Sequence, residues 1–235
     1  MDLLEITRRV TASVGLPRPN AVATSSDQLA QQLFSLANDT LEELCDMDWP
    51  VLRRTWDLYT VISTEQYDTP TDFKKLSPAA FWNQDQKYRV RGALTSQEWR
   101  KERAVQTTSR YKFTFGGDTE LLKITPAPTV VELLKIDYFT NYRAVSADGV
   151  DYGELFQLDT DIPLVPDDLV RMGLKWRIKH AKGLEYGEDY NLYESKRKEK
   201  LAQQLSLGDI DVAVRNAYAT DPYITDGYIP QDGFG

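Results

Sequence analysis

The stretch that decides the fold is Asp159 to Glu194, DTDIPLVPDDLVRMGLKWRIKHAKGLEYGEDYNLYE. Pro166 falls where a first helical turn tolerates proline, whose missing N–H would be unpaired there anyway, and Asp167 and Asp168 place negative charge at the positive end of the helix dipole. Leu169, Met172, Gly173, Trp176, His180, Gly183, Tyr186, Gly187, Tyr190 and Tyr193 then recur at three-and-four spacing, so they form one stripe along a helix. Each glycine inside a helix costs roughly 0.5–1 kcal/mol relative to alanine, so the three on this stripe point to close packing or a local bend. No catalytic grouping accompanies them. The stretch reads as an element for packing and assembly.

Working outward, Leu3, Ile6, Val10 and Val14 have near-helical spacing over residues 2–15, and the run Gly15-Leu-Pro-Arg-Pro-Asn20 ends the pattern. Ser25 and Gln28 are spaced as a capping box, after which Leu29, Leu33, Leu36, Ala37, Thr40, Leu41 and Leu44 trace a second amphipathic helix. Its apolar face is expected to pack on the long C-terminal helix, bringing the two ends of the chain into one antiparallel bundle. Between Trp49 and Val145 the period changes. LRRTWDLYTVIST (52–64) and KYRVRGALT (87–95) hold short β-prone runs, and RYKFTFGGDTELLKITPAP (110–128) reads as two strands turning at Gly116, Gly117 and Asp118. TVVELLKIDYFTNYRA (129–144) reads as the next strand. Asp68-Thr-Pro70 and Pro78 mark loops, which Phe73, Phe81 and Trp82 anchor in the core.

The expected class is therefore α+β: an antiparallel helical bundle from the N- and C-terminal regions, a β-rich middle and an extended C-terminal arm. The expected divisions are 1–48 (helical), 49–158 (β-rich), 159–205 (long helix packing on the N-terminal helices) and 206–235. That last region ends in NAYATDPYITDGYIPQDGFG, which reads without helical or alternating period. Its Tyr218, Tyr223, Tyr228 and Phe234 resemble the anchors of an arm that orders on a partner.

The Asp159–Glu194 segment resembles the C-terminal signature of the head-to-tail adaptor proteins of tailed bacteriophages, the head-completion or tail-accessory connectors that join portal to tail. WRIKHAKGLEYGED (176–189) is the specific part. CDMDWPVLRRTW (45–56), YDTPTDFKKL (67–76), YKFTFGGDTELLKITPAPT (111–129) and ELLKIDYFTNYR (132–143) agree by their order, and together these segments cover most of residues 1–205. The tail from Ser206 departs from the pattern. The resemblance implies a homo-oligomeric ring, dodecameric, bound beneath the portal protein at the head–tail junction of the virion. Such a ring extends the channel through which genomic DNA passes without sequence-specific binding, and presents a platform for downstream tail or nozzle proteins. It implies no enzymatic activity and no cofactor. Trp176, Tyr186, Tyr190 and Tyr193, with the cations Arg171, Lys175, Lys179 and Lys182, are the expected interface residues, and Tyr218, Tyr223, Tyr228 and Phe234 the expected portal-docking contacts.

Composition bounds the alternatives. With 36 acidic against 28 basic residues the chain carries a net charge of −8, which argues against adhesion to the outside of a DNA duplex. Basic residues gather on the C-terminal helical region, yet no zinc finger, helix-turn-helix or RNP-like motif accompanies them, and pairing with an acidic neighbour subunit is the better account. The single cysteine, Cys45, forms no internal disulfide and ends an apolar helix face, and no Cys/His cluster offers a metal site. The N-terminus lacks a signal-peptide run and no stretch approaches a membrane span, so synthesis in the host cytoplasm and no membrane anchor are expected. His180, the one histidine, has cationic neighbours and no orienting acid, which favours packing over nucleophilic catalysis. A tail-associated peptidoglycan hydrolase is the alternative activity, with Glu185, Glu188 and Asp189 as its carboxylates; their nearby lysines and arginine favour a solvated or subunit-bridging face instead. Another structural tail or baseplate part is the second alternative.

Overall fold

The computed structural model describes residues 1–105, 110–116 and 121–218, with backbone alone at 78–80 and 205–218. Two helices open the chain, α1 (Leu3–Val14) and α2 (Gln28–Cys45). Asp2 caps α1 by accepting from the Glu5 N–H at 2.7 Å, and Gly15, at φ +78°, closes it onto the Thr11 carbonyl. Leu3, Ile6 and Val10 are buried, as their spacing requires. The cap of α2 is Asp27, which accepts from the Ala30 N–H; the expected Ser25 lies two residues too early and instead accepts from the Asp27 N–H at 3.2 Å.

The middle is β1 (Arg53–Tyr59), β2 (Gln66–Tyr67), β3 (Phe73–Asn83), β4 (Tyr88–Arg89), α3 (Ser96–Ala104), β5 (Lys112–Phe115), β6 (Leu122–Thr125), β7 (Leu133–Thr140), β8 (Ala144–Val145) and β9 (Tyr152–Gly153). Then β10 (Ile162–Pro163) leads into α4 (Asp167–Ala181) and α5 (Gly187–Tyr218). Among the described residues the strands form three antiparallel sheets, ordered β1-β7-β3-β4, β2-β6-β5 and β10-β8-β9. The class is α+β. The expected hairpin around Gly116 forms: β5 pairs β6 from Lys112 opposite Thr125 to Phe115 opposite Leu122.

Pro78 does not interrupt the chain as a loop. β3 runs through it, and its register against β7 shifts between Leu76 and Phe81, an irregularity of the kind that lets a strand carry a proline. β3 is anchored at its start by Asp72, whose buried carboxylate accepts from Tyr138 Oη at 2.9 Å and Thr140 Oγ1 at 2.8 Å.

Among the described residues there are two cores. Leu58, Phe81, Phe113, Leu122, Ile124, Leu134 and Ile136 fill the space between the four-stranded and β2-β6-β5 sheets. The helices share the other with Trp49, Phe139, Phe156 and Val165. β7 serves both: Leu134 and Ile136 point into the first, and the strand's strict alternation ends where Phe139 enters the second. This is how the β-rich middle is locked to the helical ends.

The expected single long C-terminal helix is two. α4 packs against both α1 and α2, and α5 folds back on α4. Pro166 takes the capping position outside α4, with ψ 120°, rather than the first helical turn. α5 also continues past Leu205 to Tyr218. Leu207, Ile210, Val214 and Ala217 lie at helical spacing in the sequence there, a period that the later Asp-, Gly- and Pro-rich residues obscured. Tyr218 is the last residue of α5; Tyr223, Tyr228 and Phe234 lie outside the described residues.

Candidate functional site

The signature stretch builds a helical hairpin and fastens it to the N-terminus. Asp159 Oδ1 accepts from the Val22 and Ala23 N–H groups, both at 2.8 Å, while the Asp159 and Asp161 carbonyls accept from Leu4 and Leu3 at the start of α1. Asp161 Oδ2 accepts from the Gln157 and Leu158 N–H groups at 2.7 and 2.8 Å. The terminal amine of Met1 meets Asp167 at 3.0 Å. The Asp159 and Asp161 side chains satisfy backbone donors that would otherwise lack partners. The Asp-x-Asp pattern before a proline-flanked helix start was their signal.

α4 ends at a turn in which Gly183 takes φ +68° and the Leu184 N–H donates to the Lys179 carbonyl at 2.9 Å. A left-handed residue here favours glycine, and the reversal sends α5 back along α4. Trp176 lies at the centre of the seam, its ring 5.2 Å from Tyr190 in an edge-on contact, 6.3 Å from Tyr186 and 6.4 Å from Tyr193. The His180 ring contacts Tyr186 at 4.8 Å. Aromatic pairs at these separations add to the burial of their surfaces.

Tyr193 is fully buried, and its hydroxyl donates to Glu43 of α2 at 3.2 Å. Burial, reinforced by the Glu43 charge, pushes its phenol up to about 12. Glu43 also receives Arg177 from α4 and, at 2.6 Å, Arg197 from α5, so one carboxylate ties three helices. Asp189 binds Lys175 at 2.7 Å and Lys179 at 2.5 Å across the hairpin. Burial raises its carboxyl, but the two lysines outweigh that effect and hold it below the usual range.

The eight expected interface residues therefore separate. Trp176, Tyr193, Lys175 and Lys179 make contacts within the hairpin. Tyr186 and Tyr190 touch that seam and remain 36% and 41% exposed. Lys182 is exposed and Arg171 half-buried, and among the described residues neither has an ion-pair partner. Leu184 and Leu192 add exposed apolar surface at and beyond the turn. Of the three carboxylates considered for hydrolysis, Asp189 is committed to its lysines and Glu185 accepts from the Gly187 N–H at 3.0 Å. Among the described residues no group of three or more His, Cys, Asp or Glu side chains could hold a metal ion, and no helix is long and apolar enough to cross a membrane.

A second exposed surface, not anticipated, lies at the β8–β9 hairpin: an open groove of about 240 Å³ whose lining includes Val145, Asp151, Tyr152, Leu155, Leu158 and Asp161. Its residues come from two short strands and the loop before β10, so no sequence period marks it.

Among known protein families, the model described as SU10 adaptor protein matches residues 1–223. No curated protein matches the chain.

Proposed function

The chain belongs to the SU10 adaptor protein family, consistent with the head-to-tail adaptors its sequence resembles, and from that premise we propose that it is a structural, non-enzymatic protein of the phage virion that joins the portal to the tail. The single observation that carries this reading is the family match over residues 1–223. In the proposed arrangement copies form a ring beneath the portal, dodecameric by the resemblance, with the helical ends as its wall. The β-rich middle faces a neighbouring copy or the next tail or nozzle protein. Genomic DNA passes through the ring, and the net charge of −8 suits a conduit that must not hold it.

The mechanism is assembly rather than turnover. Trp176, Tyr193, Lys175 and Lys179 give the α4–α5 hairpin its shape, while the exposed edges of Tyr186 and Tyr190, with Arg171 and Lys182, are free to meet a partner. Tyr218, Tyr223, Tyr228 and Phe234 dock on the portal, so the surface for the next tail protein is complete only once the portal is bound and assembly proceeds in sequence. Deleting the gene from the phage tests the whole reading: DNA-filled heads without tails are expected, and intact tailed particles would refute it. Truncation after Ala217 tests the docking residues, which requires a folded chain that no longer joins the portal.

A further inference from the structure

We infer that the turn of the α4–α5 hairpin seats in the groove at the β8–β9 hairpin of a second copy of this chain. The inference rests on the ring reading above and names the surfaces that would meet.

The two surfaces are complementary. At the groove Leu155 and Leu158 are 39% and 53% exposed and form an apolar floor, while Tyr152, 42% exposed, stacks on Tyr142 and carries the Arg54 guanidinium 4.3 Å over its ring. Residues 146–161 carry Asp148, Asp151, Glu154, Asp159 and Asp161 and no lysine or arginine. Asp159 and Asp161 serve backbone N–H groups; Asp148, which accepts from Ser146 and Val150, and Glu154, which accepts from Asn141, are exposed beside the groove, and the exposed Asp151 lines it. At the hairpin turn Leu184 is 45% exposed and Tyr186 36%, beside the exposed Lys182. An apolar centre with a charged margin of opposite sign is the composition of a protein interface, and the charges select orientation more than they add affinity.

The two surfaces lie at opposite ends of α4 in one molecule. Asp161 of the groove precedes the start of α4, whereas Lys182 and Leu184 follow its end. A helix of 15 residues puts about 22 Å between them. The turn of one copy therefore reaches the groove of the next, and that next copy's turn remains free. Such a head-to-tail contact repeats, and closes into a ring when the rotation per copy divides the circle.

Site-directed disulfides provide the test. Full chains carrying Leu158→Cys or Leu184→Cys are assembled on the portal and oxidised, singly and mixed in equal amounts; Cys45 is buried and does not compete. Cross-linked dimers from the mixture, with none from either variant alone, and a ladder of covalent multimers from the doubly substituted chain are expected. A ring that assembles without this cross-link overturns the inference and leaves the ring reading standing. Separate, non-contacting copies on the portal overturn both. In parallel, Lys182→Glu should raise the concentration for half-assembly about two- to fivefold, as for an exposed pair, with Asp151→Lys in the same chain restoring it. Unchanged assembly in the Lys182→Glu chain counts against the proposed contact.

Discussion

Gly173 of α4 and Thr40 of α2 approach so closely that a methyl group added at Gly173 would lie 2.4 Å from Thr40 Cγ2. Thr40 cannot yield easily: it is fully buried and its hydroxyl donates to the Leu36 carbonyl at 2.6 Å. On the other side the same methyl would lie 3.2 Å from the Tyr193 ring. Gly173→Ala gains helix propensity of about 1 kcal/mol but overpacks the junction of α2, α4 and α5, and a net loss of about 1–2 kcal/mol is expected in urea unfolding. A stabilised variant would show that these helices do not meet at this distance.

Trp176 is the hub of the α4–α5 seam. Trp176→Ala is expected to cost about 3 kcal/mol, since it removes contacts with three tyrosines at once. Chemical unfolding followed by circular dichroism measures it. Undiminished stability with loss of ring assembly would place the indole at a contact between copies instead.

Much of this was legible in the sequence. Leu3, Ile6 and Val10, or Leu33, Leu41 and Leu44, declare helices because burial selects one side of a 3.6-residue period, and the alternation around Phe113 and Ile124 declares a hairpin. The capping box at Thr95 and Glu98, which opens α3, is equally readable. The break between α4 and α5 was hidden because the aromatic stripe stays in phase across the Gly183 turn. β3 was hidden for a different reason: Pro78 opposes a strand locally, and pairing with β7, far along the chain, overrides it. At the site, Trp176 and Tyr193 could be named from spacing, but Glu43 could not. Its partners Arg177 and Arg197 lie 134 and 154 residues away.

Acid should open the hairpin through Asp189. Its carboxyl lies below the ordinary value in the folded chain, so its contribution is present above about pH 4, where the unfolded carboxyl is ionised, and is lost as pH falls through the folded value. Asp189→Asn is expected to lower stability by about 1 kcal/mol at pH 7. The gap from the unsubstituted chain should narrow as pH falls below about 4. Thermal unfolding from pH 2 to 7 checks this, and a gap independent of pH would contradict it.

Burial pushes the Cys45 thiol from 9.0 to about 12. The folded state thus favours the neutral thiol: this contribution is fully present below pH 9 and declines as pH rises toward 12. At pH 8 the folded protein should resist Ellman's reagent and react fully after denaturation. Immediate stoichiometric labelling of the folded chain would show that the end of α2 is open.

The mass of the chain alone and after mixing with the portal of the same phage tests the adaptor reading most directly, by mass photometry or sedimentation. The account predicts a portal-bound ring containing as many copies of the chain as of the portal subunit. A chain whose mass distribution is unchanged by the portal would contradict it.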